Sequence, residues 1–89
     1  MKQAAVIIVH GSVQGVGFRY FVKQKADLLG ITGFVKNQYD GSVYIEAEGE
    51  KDPIHEFINI CKQGPYYARI DSADIQFHPL QGYVGFDKR

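Results

Sequence analysis

Residues Ala4 to His10 read Ala-Ala-Val-Ile-Ile-Val-His, a short continuous apolar run rich in β-branched side chains. It predicts a central strand buried on both faces. A chain built on such a strand has to supply neighbours for both of its edges and cover for its faces, so this run constrains the fold most. Glycines follow at Gly11, Gly15 and Gly17, and a helical pattern begins at Phe18. The local order is therefore strand, glycine-rich turn, helix start.

That turn is the first candidate for chemistry. Glycine reaches positive φ and carries no side chain to block a ligand. Successive N–H groups in such a turn can converge on one concavity that suits an anion. The following helix adds free N–H groups and the positive end of its dipole. Arg19 lies in its first turn, and a guanidinium matches two oxygens of a phosphate while staying charged. The stretch thus reads as a phosphate cradle. Glycine-rich turns between strand and helix are also common without a ligand. No Lys-Ser or Lys-Thr follows, and the glycine spacing is not that of a dinucleotide fold.

The remaining elements follow in order. Phe18 to Leu29 is a helix whose stripe is Phe18, Phe21, Val22, Ala26 and Leu29, with Gly30 as its stop. Thr32 to Asn37 and Ser42 to Glu48 are strands joined at Asp40-Gly41, a hairpin signal. In the second of these, Val43, Ile45 and Ala47 give a core face, and Tyr44, Glu46 and Glu48 a wet face. Asp52 is placed to cap the next helix, with Pro53 in its first position. Ile54, Phe57, Ile58 and Cys61 form its apolar stripe, and Gly64-Pro65 ends it. Ala73 to Phe77 alternates as a fourth strand, and Tyr83 to Phe86 is a short C-terminal edge strand.

With 89 residues the chain is one domain, residues 1–89. The order βαββαβ predicts an α+β ferredoxin-like sandwich: an antiparallel sheet with two helices on one face. In that topology the first and second strands run parallel with the third between them. The cradle and Asn37 therefore leave the sheet at the same edge and face each other.

Charge narrows the function further. Ten basic and ten acidic side chains cancel, so any anion site is local. Glu46 and Glu48 would repel a phosphate backbone, which counts against RNA binding on the sheet face. No apolar run approaches membrane-spanning length. The single cysteine, Cys61, permits no intramolecular disulfide and fits a reducing cytoplasm.

His10-Gly-Ser-Val-Gln-Gly-Val-Gly-Phe-Arg19 resembles the phosphate-binding motif of acylphosphatases. Gly33-Phe-Val-Lys-Asn37 followed by Asp40-Gly-Ser-Val43 resembles the second motif of the same family. Gly30, Gly49, Gly64-Pro65 and Ala68-Arg69-Ile70 also fit, so the resemblance runs from about Val6 to about Phe77. The extra glycine in Gly82-Tyr-Val-Gly-Phe86 departs from the family's last strand. The resemblance implies metal-independent, cofactor-free hydrolysis of a small-molecule acyl phosphate to carboxylate and phosphate. It implies that Arg19 and the amides of Gly15, Val16, Gly17, Phe18 and Arg19 bind the phosphoryl group, and that Asn37 holds the attacking water. Inorganic phosphate would be product and competitive ligand. The expected protein is a cytoplasmic monomer with neither nucleic-acid nor membrane partners.

The other polar residues carry blander expectations. His10 is read as packed or half-exposed, and His55 and His78 as surface residues without a metal-ligand partner. Cys61 belongs to the core stripe. Asp40 shapes the hairpin. Gln14 either braces the loop or faces solvent, and Tyr66-Tyr67 is a candidate for the mouth of the site.

Overall fold

The computed structural model describes residues Met1–Arg89. Its elements are β1 (Lys2–Ser12), α1 (Phe18–Leu29), β2 (Thr32–Asn37), β3 (Val43–Glu50), α2 (Lys51–Gln63), β4 (Arg69–His78) and β5 (Phe86–Lys88). The expected βαββαβ order is present, and α1 and β2 have the expected bounds.

Strands β1 and β4 run past their apolar patterns because each is held by its neighbour's backbone. β1 pairs antiparallel with β3 from Lys2 to Val9 and with β4 from Ala4 to Ser12. The β1–β4 ladder shifts between His10 and Gly11. At that bulge Gly11 has φ +139°, and a Cβ there would lie 2.0 Å from the Arg69 carbonyl oxygen. Only glycine fits at such an approach.

The sheet order is β4-β1-β3-β2-β5. β2 pairs antiparallel with β3, but β5 pairs parallel with β2, so the sheet is mixed rather than wholly antiparallel. The last strand is also Phe86–Lys88, later than Tyr83 to Phe86. The reason is topological. β4 and β5 lie at opposite edges, so residues 79–85 must cross the sheet before pairing can resume. Gly82 and Gly85, at φ +80° and +70°, turn the chain during that crossing.

Both helices cover one face. There Ala5, Ile7 and Val9 of β1 and Val43, Ile45 and Ala47 of β3 meet Phe18, Val22 and Ala26 of α1 and Ile54, Phe57 and Cys61 of α2. Complete burial of a side chain the size of Phe57 stabilises the fold by about 1.5–3 kcal/mol. α2 starts two residues earlier than Asp52 implies. Glu50 occupies the N-cap position without a side-chain bond, and the Lys51 amide donates to the Met1 carbonyl at 3.0 Å. Pro53 still falls in the first turn, where a missing N–H breaks no helical bond.

On the opposite face Asp74 and Gln76 of β4 stay exposed, but the β3 row is covered. The crossing segment 79–85 lies over it as a strap. Glu48 is only 5% exposed and accepts from the amides of Gln81 and Gly82. Glu46 accepts from the hydroxyls of Tyr44 and Tyr83. Phe34 is buried between the rings of Tyr44 and Tyr83, at centroid distances of 5.9 and 5.8 Å.

Candidate active site

The turn after β1 contains Gly15 at φ +76° and Gly17 at φ +79°, and Gly17 is the N-cap of α1. α1 has neither a capping side chain nor an acidic residue in its first turn. Its first N–H groups therefore keep their capacity for an outside acceptor, and the positive end of the helix is not neutralised. Arg19, the second residue of the helix, projects from this end.

Asn37 is the last residue of β2. Two residues before it, Val35 is buried in the core under the helices. Side chains two apart share a face, so Asn37 emerges on the helix side, toward α1. A cavity of about 120 Å³ results, lined by Gly15, Gly17, Phe18, Arg19, Asn37 and Lys88 among others. The two predicted segments thus meet as the strand order requires. Val16 does not line this cavity. Its side chain packs against the core.

Gln14 makes the junction between the two motifs rigid. Its amide nitrogen donates to the carbonyls of Gln38 at 2.7 Å and Ser42 at 2.8 Å, in the turn that follows Asn37. In that turn Asp40 accepts from the Ser42 hydroxyl and from its amide at 2.9 Å. Those bonds from Ser42 hold the Asp40 carboxyl below the usual carboxylate range. On the other side of Asn37 lies an open depression of about 470 Å³, lined by Gln14, Lys36, Asn37, Gln38 and Tyr39.

The C-terminal strand supplies residues that sequence reasoning missed. Lys88 borders the cavity, and Arg19 donates through Nη1 to the main-chain oxygen of Arg89. No local pattern marks these positions. They reach the site through the parallel pairing of Val35 with Lys88.

The remaining residues stay away from the cradle. His10 Nε2 lies 3.3 Å from Asp74 Oδ2, and half-exposure agrees with expectation. His55 is exposed, with Nε2 3.0 Å from Gln3 Oε1. His78 departs from its surface reading: it is half-buried, with Nδ1 2.8 Å from the Pro79 carbonyl and Nε2 enclosed without a partner. Tyr66 and Tyr67 pack edge to face with each other and line no part of the cavity. Cys61 is fully buried, and burial pushes its thiol pKa far up, which leaves it unreactive.

Two left-handed glycines, an uncapped helix start and an arginine in its first turn thus meet at one end of a two-helix α+β domain. The acylphosphatase family model matches residues 5–88. A curated acylphosphatase of Caldanaerobacter subterraneus subsp. tengcongensis is 45% identical over 92% of this chain and 91% of its own. The crystal structure of acylphosphatase from Bacillus subtilis superposes with a TM-score of 0.92 at 39% identity, over 100% of this chain and 99% of that one. An acylphosphatase from Coxiella burnetii gives 0.94 at 34%, over 99% and 93%. The chain belongs to the acylphosphatase family, hydrolases of the carboxyl–phosphate bond of acyl phosphates. No helix is long and apolar enough to cross a membrane.

Proposed function

We propose that Arg19 and the amides of Gly15, Gly17, Phe18 and Arg19, with that of Val16 behind them, hold the phosphoryl group of an acyl phosphate while Asn37 orients the attacking water. The observation that carries this reading is the shared cavity. Arg19 and Asn37 come from different elements and border one space of about 120 Å³, room enough for a phosphoryl group and a water. The depression beyond Asn37 leaves its amide open to solvent water.

Water oxygen attacks phosphorus and the bond to the bridging oxygen breaks. The acyl group leaves as carboxylate, and the proton lost by water passes to solvent or stays on inorganic phosphate. A loose phosphoryl-transfer transition state needs positioning and charge stabilisation above all. A carboxylate is a weak base and departs without a general acid. An alkoxide would need a proton, and no carboxylic acid or imidazole borders the cavity. Acyl phosphates are therefore the substrates, and alkyl phosphate esters are not. Inorganic phosphate, sharing the phosphoryl group's shape and charge, competes for the cradle. The protein acts as a monomer, since one chain supplies every residue named, and in the cytoplasm, which suits its single thiol.

The test is hydrolysis of benzoyl phosphate in EDTA, beside p-nitrophenyl phosphate, for the wild type and for Arg19→Gln and Asn37→Ala. Rapid, chelator-resistant loss of benzoyl phosphate alone, abolished by both substitutions, is expected. Efficient cleavage of an alkyl phosphate, or full turnover by the Asn37 variant, would overturn the assignment.

A further inference from the structure

Arg19 and Lys88 are the two cations that border the cradle. Lys23 is paired with Asp27 at 3.0 Å, and the Arg89 guanidinium lies 3.8 Å from Asp87 and over the Phe34 ring. Lys88 makes no ion pair and borders the cradle. In a chain of zero net charge this is not one lysine of a generally basic surface.

Its direction follows from strand alternation. Phe86 is buried on the helix side, packed edge to face on Phe57 at 6.0 Å. Arg89 reaches the strap side, over Phe34. Lys88, two residues after Phe86, therefore emerges on the helix side, beside Arg19. The backbone around it is held at several points. Gly33 N–H donates to the Gly85 carbonyl at 2.9 Å, and Arg89 N–H to the Val35 carbonyl at 2.8 Å. Lys23 Nζ donates to the Phe86 carbonyl at 3.0 Å, and Arg19 to Arg89.

We propose that Lys88 is a second phosphoryl-binding cation, pairing with a peripheral oxygen of the bound group while Arg19 engages the oxygens deep in the cradle. This rests on the reading of the cradle as the phosphoryl site. One of Arg19's donors is turned to Arg89, and a phosphoryl dianion carries more charge than one guanidinium balances. A cation at the rim meets substrate, transition state and product phosphate alike. Its contribution therefore falls on affinity, in KM, and not on kcat.

The experiment compares wild type, Lys88→Gln and Lys88→Arg as full chains. It measures inorganic phosphate binding by calorimetry, benzoyl phosphate kinetics at low and high salt, and thermal unfolding. For Lys88→Gln we expect Kd for phosphate and KM to rise together, by about threefold to tenfold, as suits one partly exposed charge pair. kcat stays within about twofold, the salt dependence of kcat/KM flattens, Tm is unchanged, and Lys88→Arg restores affinity. Unaltered phosphate affinity in Lys88→Gln, or a fall in kcat with KM constant, overturns the proposal. A wild type that binds phosphate yet hydrolyses nothing would instead sink the catalytic reading, and the Kd comparison would still decide the role of Lys88.

Discussion

The cradle between β1 and α1 lines the cavity, and the strap between β4 and β5 sets the strand that brings Lys88 to its rim, but different forces hold the two in place. The cradle is local. Its residues are neighbours in the chain, its shape comes from two left-handed glycines, and its working groups are main-chain N–H donors. The strap is long-range. It crosses the whole sheet, and two carboxylates on β3, Glu46 and Glu48, hold it by hydrogen bonds across a large sequence separation. The proposed chemistry falls in the first region. Stability is concentrated in the second, which places β5, and with it Lys88 and the partner of Arg19, without touching the reacting atoms.

That contrast breaks most visibly at Arg19. Removing one preorganised donor aimed at developing charge costs about 10²–10³ in rate. Arg19→Gln should lose that much in kcat/KM while its urea midpoint stays near wild type. A large loss of stability would show that Arg19 holds β5 as much as it holds substrate. Gly11 is the next largest effect and is structural. Ala there meets the Arg69 carbonyl and a φ that side chains avoid, so Gly11→Ala should destabilise on the order of 3 kcal/mol in urea unfolding.

Glu48→Ala sharpens the comparison from the strap side. Losing the hydrogen bonds from Gln81 and Gly82 should cost about 1–3 kcal/mol of stability. It should raise KM by freeing β5, with kcat nearly unchanged. A fall in kcat alone would mean that the strap acts on the chemistry. Gln14→Ala probes the junction. It removes two bonds to the β2–β3 turn and should cost about 1–2 kcal/mol, with a drop in turnover because Asn37 loses its brace.

The smallest effect is the pH dependence. Burial pushes the Glu46 carboxyl up, but the hydroxyls of Tyr83 and Tyr44 outweigh it and hold it below the usual range. Its stabilisation is present at neutral pH and lost as pH falls through that lowered value. Tyr44, by burial and its bond to Glu46, and Tyr83, by its bond to Glu46 and burial, are both pushed up to about 12. Their stabilisation is complete below their ordinary pKa near 10 and is lost as pH rises through about 12. Urea midpoints should therefore form a plateau with an acid and an alkaline limb, and Tyr44→Phe should soften the alkaline one. Turnover should stay level from about pH 5 to 8, because a guanidinium and a carboxamide keep their charge across that range. A midpoint near 6.5 in the rate profile would point to a histidine.

Much of this was legible in residue order. Spacing alone places α1 and β2, the hairpin at Asp40-Gly41, the core stripe through Cys61, and the convergence of Arg19 with Asn37. Local alternation misled at β3, where Tyr44, Glu46 and Glu48 read as a wet face. A carboxylate is polar whether it meets water or the N–H groups of a crossing segment, and alternation cannot distinguish the two. Residues 79–85 carry a proline and two glycines and no apolar periodicity, which describes a loop without saying what it lies on. For the same reason local pattern puts the final strand at Tyr83 to Phe86, earlier than Phe86–Lys88, and does not show its parallel pairing.

By itself the sequence determined the glycine-rich turn, both helices, the inner face of the sheet and the meeting of Arg19 with Asn37. Each depends on chain neighbours or on a periodicity that a few residues display. Only the tertiary structure decided the burial of Glu48, the latch of Gln14 on the β2–β3 turn, and the arrival of Lys88 beside Arg19. These are contacts between groups far apart in the chain, and their partners exist only once the sheet has brought its edges and ends together.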